Sequence, residues 1–289
     1  MLARKSDEIN NLHSTNALGW LLSPKGMRIL LADDSSVNQE VALGQLQKLG
    51  YAADVVNNGL EVLEAIQFLR YDVILMDCQM PELTGNEAAR RIREQEQQSS
   101  DGVAPVYIIA MTASTVDGDR EACKAAGMNG YLTKPVMVAD LRAALEDAAA
   151  SVSGVAATDA SRTVRQPAEV HPEHAPVDLQ RLIELTGGKP DKLRGLIEKY
   201  GREAGEMMES LGSAVEAGSA AEIRRWAHKL GGTSATCGMK ALVPPLQELE
   251  KLSQAGDVSL SATLFGEVMV RLSQTQQFLK QHLETVAAG

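Results

Sequence analysis

Four short apolar runs in the first half of the chain each end in polar residues, and this pattern constrains the fold more than any other feature. MRILLADD ends at Asp33 and Asp34, YDVILMD at Asp77, IIAMT at Thr112, and GYLTKP contains Lys134. In an open parallel sheet, the carboxyl ends of the strands converge on one crevice, where ligands bind. We therefore expect three carboxylates, a hydroxyl and an ammonium group to meet at one point.

The apolar runs alternate with amphipathic stretches throughout residues 27–150. Strands are predicted at 27–32, 52–56, 72–76, 105–111 and 130–133, and helices at about 35–48, 58–69, 84–97, 115–126 and 137–150. This alternation is typical of a parallel sheet covered by helices. The first half is therefore predicted to be an α/β domain built on a five-stranded parallel sheet.

Residues 178–286 contain no strand candidate. Their apolar residues recur at three- and four-residue steps, and Pro244-Pro245 is placed in the first turn of a helix, where a missing donor costs least. This pattern predicts an antiparallel helical bundle. Residues 1–26 are interpreted as a polar lead-in, and residues 151–177, which lack apolar periodicity and contain several prolines, as a flexible linker.

Net charge, apolar run length and cysteine content argue against several classes of function. The net charge of -10 and the pI of about 5.1 argue against a DNA-binding surface, which is normally basic. No apolar stretch approaches the roughly 20 residues of a membrane helix, so we expect no membrane insertion of this chain. Three scattered cysteines without metal-ligand spacing indicate a reducing, cytoplasmic setting.

The groups expected around Asp77 suit phosphoryl transfer to its carboxylate. A magnesium ion, held by a few carboxylates and other oxygen ligands, would neutralise the negative charge. The Lys134 ammonium would offset charge on the phosphoryl oxygens, and the Thr112 hydroxyl would add a hydrogen bond. Taken singly, an Asp-Asp doublet is usually a cap or a solvated turn, so the prediction depends on the order of these residues along successive strand ends.

The segments ILLADDSSVNQEVALGQLQKLGY, DVILMDCQMPELTGNEAARRIR, IIAMTAS and GYLTKP resemble the receiver domain of two-component response regulators. The resemblance covers residues 27–150 and implies a flavodoxin-like, doubly wound fold that binds Mg²⁺. It also implies a role for each matching position: phosphoacceptor Asp77, metal ligands Asp33, Asp34, Asp77 and the backbone carbonyl of Gln79, switch residues Thr112 and Tyr131, and Lys134 as the invariant lysine.

Val37, Asn38, Val41 and Ala42 follow the acidic pair, and their spacing gives the first helix an apolar stripe. We expect this stripe to be exposed beside the crevice, where it would dock a partner helix. The alternative is that these residues pack on the sheet. The segment VNQEVA is similar to receivers of hybrid kinases and phosphorelays.

In the helical half, the stretch EIRRWAHKLGGTSATCG places His228 nearly opposite an apolar sector on a helical wheel. We therefore expect His228 to point to solvent, with Gly231 and Gly232 clearing space around it and Arg224 supplying positive charge for docking. Two alternatives remain. In the first, His228 is an ordinary surface histidine. In the second, the glycine pair ends or kinks the helix.

The segment AHKLGGTSATCG resembles the histidine phosphotransfer (Hpt) domain, a four-helix bundle whose exposed histidine carries phosphate between receivers. The resemblance implies that His228 is phosphorylated. The family's lysine three residues after the histidine is replaced here by Gly231. The segment contains no ATP-binding motif, so an autonomous kinase activity is not expected, only phosphotransfer and slow autodephosphorylation.

Together these resemblances predict a bacterial phosphorelay protein whose partners are a sensor histidine kinase and other receiver or Hpt proteins. An alternative is a regulatory binding module in which phosphorylation of Asp77 controls exposure of the helical domain. An aspartyl phosphatase is disfavoured because Gln79 stands where such enzymes need a second aspartate. A flexible linker of 27 residues (151–177) would span roughly 30 Å, which permits transfer between the two domains.

Overall fold

The computed structural model describes residues 26–98, 104–112, 117–152 and 175–288. The chain divides into two compact units, Met1–Val164 and Arg165–Gly289. All of the predicted lead-in except Gly26, and most of the predicted linker, lie outside the described residues. The last helix of the first unit continues to Val152, inside the range assigned to the linker.

The first unit is a five-stranded parallel sheet in the order β2-β1-β3-β4-β5. The strands are β1 (Ile29–Ala32), β2 (Ala53–Val56), β3 (Val73–Asp77), β4 (Tyr107–Thr112) and β5 (Gly130–Thr133). The helices are α1 (Ser36–Lys48), α2 (Gly59–Phe68), α3 (Gly85–Gln98), α4 (Asp117–Ala125) and α5 (Val138–Val152). The predicted doubly wound α/β fold is confirmed.

Helices cover both faces of the sheet, and the strand sequences explain why. Alternate residues of β3 enter two separate apolar cores: Ile74 and Met76 join one, and Val73 and Leu75 join the other. Every residue of β3 is buried, as expected for a central parallel strand. β3 and β4 each extend one residue further than predicted, because Asp77 and Thr112 still pair with neighbouring strands.

The second unit is helical, with α6 (Leu179–Thr186), α7 (Pro190–Glu216), α8 (Ala220–Thr236), α9 (Val243–Gln254) and α10 (Ser261–Ala288). Both α7 and α9 pack against α8 and against α10, which closes a four-helix bundle. Pro244 and Pro245 lie in the first turn of α9, as predicted. Among the described residues, no helix combines the length and apolar character needed to cross a bilayer.

Candidate functional sites

The first site lies at the carboxyl edge of the sheet, where the residues predicted to meet do come together. Asp33 and Asp34 follow β1, Asp77 ends β3, and Lys134 follows β5. The Nζ atom of Lys134 lies 2.6 Å from Oδ2 of Asp77 and 2.7 Å from Oδ2 of Asp33. The side chains of these three residues are almost fully buried. A single ammonium group therefore bridges two carboxylates that lie 44 positions apart in the sequence.

The loop after β3 fixes the position of Asp77. The Cys78 N–H donates to the carbonyl of Met111 on β4, and the Gln79 N–H donates to Oδ1 of Asp77 at 3.1 Å. A Cβ atom at Gly85 would lie 2.0 Å from the carbonyl oxygen of Asp77, a distance that only glycine avoids. The close approach of α3 to the end of β3 therefore depends on Gly85.

The Asp33 carboxylate is also held by the start of α1. Its Oδ1 atom accepts hydrogen bonds from the Ser35 N–H at 2.9 Å and from Nδ2 of Asn38 at 3.2 Å. Its Oδ2 atom accepts from Lys134. Both oxygens of Asp33 are therefore engaged within the protein, and these hydrogen bonds fix the orientation of its carboxylate.

The acidic groups at this edge of the sheet outnumber the basic groups. The pKa of Asp77 is raised to about 6, chiefly by burial; Lys134 opposes this rise, and the nearby Asp33 and Asp34 carboxylates add to it. Burial alone would lower the pKa of Lys134, but its contacts with Asp33 and Asp77 outweigh burial and raise it. Lys134 thus stays protonated, and one ammonium group faces three acidic residues.

The acidic residues fit a divalent cation. Asp33, Asp34 and Asp77 each offer a carboxylate oxygen, and these oxygens lie within 4.8 Å of one another. Hard cations such as Mg²⁺ prefer oxygen ligands of this kind. The backbone carbonyl of Gln79 remains a predicted further ligand, since the contact shown for Gln79 is made by its N–H.

The two residues predicted to be switches lie on neighbouring strands. Thr112 is buried at the end of β4, and its carbonyl accepts a hydrogen bond from the Lys134 N–H at 2.7 Å. Tyr131 lies on β5 and is half-buried, with the guanidinium carbon of Arg120 4.3 Å from its ring centroid. The Arg120 contact was not predicted, because stacking of an arginine on a tyrosine leaves no spacing pattern in the sequence.

The predicted docking stripe on α1 is wrong. Val37, Asn38 and Val41 are all buried. They lie on the side of α1 that also buries Leu46 in the sheet core, as expected when a helix covers a sheet with one apolar face. The exposed positions of α1 include Glu40 and other polar residues.

The second site surrounds His228, and the predicted exposure of this residue is also wrong. His228 is 9% exposed, and its Nδ1 atom lies 2.7 Å from Oε1 of Glu250 on α9. The helical wheel placed His228 correctly opposite Leu230 but could not show that α9 covers the adjoining face of α8. In the described part of the chain, several buried polar atoms lack a hydrogen-bond partner, and Nε2, the other ring nitrogen, is not one of them. Glu250 was not predicted, because it lies 22 positions away on another helix.

The two glycines after His228 have different surroundings, although both are buried. A Cβ atom at Gly231 would lie 3.6 Å from Cβ of Leu246, so Gly231 faces α9 and not an open surface. A Cβ atom at Gly232 would have no atom within 4 Å. Gly232 is one helical turn after His228, so only this glycine leaves open space of the kind predicted around the imidazole.

The cations of α8 are distributed on both sides of His228. Arg224, predicted to face an incoming phosphate, is only half-exposed, and its buried Nε atom has no hydrogen-bond partner among the described residues. Arg225 is exposed, bonds Glu222 at 2.6 Å and covers the ring of Trp226. Lys229 lies 5.8 Å from the centroid of the same ring.

Two family models match the chain in succession. The response regulator receiver domain model covers residues 29–146, and the Hpt domain model covers residues 195–289. The first match contains the Asp77 site, and the second contains His228.

Known proteins similar to this chain include much longer kinases. The hybrid signal transduction histidine kinase K of Dictyostelium discoideum is 40% identical over 122 residues, which are 42% of this chain and 10% of the kinase. The virulence sensor protein BvgS of Bordetella bronchiseptica is 28% identical over 249 residues, 86% of this chain and 20% of the sensor. The chain thus spans between a tenth and a fifth of these relatives. Because they include a eukaryotic protein, the expected bacterial origin stays a prediction.

Among solved structures, the receiver domain of a sensor histidine kinase from Pseudomonas aeruginosa shares 43% sequence identity. The match covers 43% of this chain and 97% of that one, with a TM-score of 0.38. That receiver holds a magnesium ion in its active site cleft.

Proposed function

We propose that this chain, which carries a response regulator receiver domain followed by an Hpt domain, is a phosphorelay module that accepts a phosphoryl group on Asp77 and carries one on His228. The two family matches support a phosphorelay role. The single observation that carries the finer proposal is the Lys134 ammonium 2.6 Å from the Asp77 carboxylate in a buried acidic cluster. The donor would be the phosphohistidine of a sensor kinase or of another Hpt protein.

In the first step, an oxygen of Asp77 attacks phosphorus. The new phosphorus–oxygen bond forms as the phosphorus–nitrogen bond to the donor imidazole breaks, and the leaving imidazole nitrogen keeps the bonding electron pair. Lys134, already in contact with Asp77, is placed to offset charge on the phosphoryl oxygens. When bound by Asp34, Asp77 and the Gln79 carbonyl, Mg²⁺ would neutralise negative charge at this edge.

In the second step, His228 exchanges a phosphoryl group with a receiver. As the phosphorus–nitrogen bond to His228 forms, the phosphorus–oxygen bond to the receiver aspartate breaks, and the aspartate carboxylate keeps the bonding electron pair. A neutral imidazole whose Nδ1–H donates to Glu250 keeps the lone pair on Nε2, which becomes the nucleophile. The contact with Glu250 also fixes the plane of the ring. The open space beside Gly232 provides a side from which a phosphoaspartate could reach the ring.

Whether Asp77 passes its phosphoryl group to His228 of the same molecule is testable with single-residue variants. The full chain is phosphorylated with a small-molecule donor, and the label is located in the wild type, in Asp77→Asn and in His228→Gln. Internal transfer predicts a label on His228 that disappears when Asp77 is replaced. A label that persists on His228 of Asp77→Asn would defeat the internal route.

The low exposure of His228 favours one alternative, a regulatory module in which phosphorylation of Asp77 alters binding by the helical domain without transfer to His228. The two functions differ in where phosphate accumulates. Phosphohistidine is labile in acid and stable in alkali, whereas an acyl phosphate is labile in alkali. Stoichiometric alkali-stable, acid-labile phosphate at His228, formed from a phosphorylated receiver, supports the relay, and its absence supports the regulatory module.

A further inference from the structure

We propose that Asn38 is a positioning residue of the acidic site, which orients Asp33 so that Asp33 holds Lys134 against Asp77. The inference rests on the proposed function of that site. It also replaces the earlier assignment of Asn38 to a docking surface, which its burial contradicts.

A continuous set of contacts connects Asn38 with Asp77. Nδ2 of Asn38 donates to Oδ1 of Asp33 at 3.2 Å, and Oδ2 of Asp33 accepts from Lys134 at 2.7 Å. Lys134 in turn donates to Asp77 at 2.6 Å. Asn38 thus acts on the phosphoacceptor through two intermediate side chains and does not need to touch it.

The start of α1 fixes the Asn38 side chain. Ser35 is the N-cap, and its side chain accepts a hydrogen bond from the Asn38 N–H at 3.3 Å. Asn38 occupies the third helical position, from which a side chain can reach back past the cap. Here the Asn38 side chain reaches Asp33. Ser35 and Asn38 therefore both form the cap of α1 and orient the Asp33 carboxylate.

The two donors on Oδ1 determine which oxygen of Asp33 faces Lys134. Among the described residues, Oδ1 would keep only the Ser35 N–H as a donor if Nδ2 of Asn38 were removed. The carboxylate could then rotate, and Lys134 would lose the fixed acceptor that it has besides Asp77. Residues that hold metal ligands in place commonly contribute roughly 10- to 100-fold to metal affinity or activity.

The same helix offers a matched control. Gln45 is also a buried amide of α1, and its Nε2 atom donates to the carbonyl of Val136 at 2.8 Å. The buried Oδ1 of Asn38 and Oε1 of Gln45 both lack a hydrogen-bond partner among the described residues. Asn38→Leu and Gln45→Leu therefore remove the same kind of group from the same helix, but only Asn38 contacts Asp33.

The test follows the ammonium protons of Lys134 by NMR in the full, metal-free chain. In the wild type, burial and two carboxylate acceptors are expected to slow proton exchange enough for the Lys134 signal to be seen. Asn38→Leu is expected to shift or broaden this signal, and Gln45→Leu to leave it unchanged. A Mg²⁺ titration should show binding about tenfold weaker in Asn38→Leu only.

An unchanged Lys134 signal and unchanged Mg²⁺ affinity in Asn38→Leu would overturn the proposal, as would equal losses in Gln45→Leu. If leucine at position 38 prevents folding, Asn38→Ala removes the same donor without adding bulk. The Lys134 signal and the Mg²⁺ affinity of that variant then test the proposal. A wild type that binds Mg²⁺ but accepts no phosphoryl group would refute the proposed function and leave the role of Asn38 standing, so the two failures are distinguishable.

Discussion

His228 and Glu250 are joined across the interface of α8 and α9, with Nδ1 of the imidazole 2.7 Å from a carboxylate oxygen. A carboxylate in this position can accept the Nδ1 proton and leave Nε2 as the nucleophilic nitrogen. The contact would therefore orient a histidine with little exposure for the proposed phosphoryl exchange.

Replacing Glu250 is expected to slow phosphoryl transfer to His228. Glu250→Ala should lower the transfer rate from a phosphorylated receiver about tenfold, which corresponds to roughly 1.4 kcal/mol, because the ring loses its orientation and its preferred tautomer. Glu250→Gln keeps an acceptor oxygen and should lose less. Glu248→Ala, at an exposed position of the same helix, is the control. Equal rates in Glu250→Ala and the wild type would show that the contact does not assist transfer.

Removing the Lys134 ammonium is expected to destabilise the receiver domain at neutral pH. In Lys134→Met, the buried Asp33 and Asp77 would lose their shared cation, and breaking a buried ion pair costs about 3–5 kcal/mol. The chemical denaturation midpoint should fall, and Mg²⁺ should recover part of the loss by supplying positive charge. Wild-type stability without Mg²⁺ would mean that Lys134 does not balance these carboxylates.

The effect of Mg²⁺ on thermal stability should depend on pH. Because the pKa of Asp77 is raised to about 6 in the folded protein, its contribution to stability is present at low pH and is lost as pH rises through about 6. Mg²⁺ competes with that proton. The increase in Tm caused by Mg²⁺ should therefore be larger at pH 7.5 than at pH 5, and this difference should shrink in Asp77→Asn. An increase that is the same at both pH values would contradict the proposed proton competition.

Gly85 and Gly44 should respond in opposite ways to alanine. In Gly85→Ala the new Cβ would meet the Asp77 carbonyl at 2.0 Å, so the backbone must move and Asp77 with it. We expect a loss of several kcal/mol in unfolding free energy and slower phosphorylation. Gly44→Ala, in helix α1, meets no atom within 4 Å and should stabilise by up to about 1 kcal/mol. Denaturant titrations of both variants measure the difference.

The sequence predicted the receiver site more accurately than the histidine site, and the reason is physical. Strand ends of a parallel sheet share one edge, so the order of Asp33, Asp77 and Lys134 along the chain already placed them together. No comparable rule links His228 with Glu250, because the partner of a helix face depends on how the helices pack. The same limit explains Val37 and Val41, whose helical spacing indicated an apolar face but not the surface that covers it.

The most direct test of the central claim is to locate the phosphoryl group after incubating the full chain with Mg²⁺ and a phosphorylated sensor kinase, by mass spectrometry under conditions that preserve acyl phosphates. We expect phosphate on Asp77 of the wild type, none in Asp77→Asn, and strongly reduced labelling in Lys134→Ala. Wild-type labelling of Asp77→Asn, at any residue of the receiver domain, would contradict it.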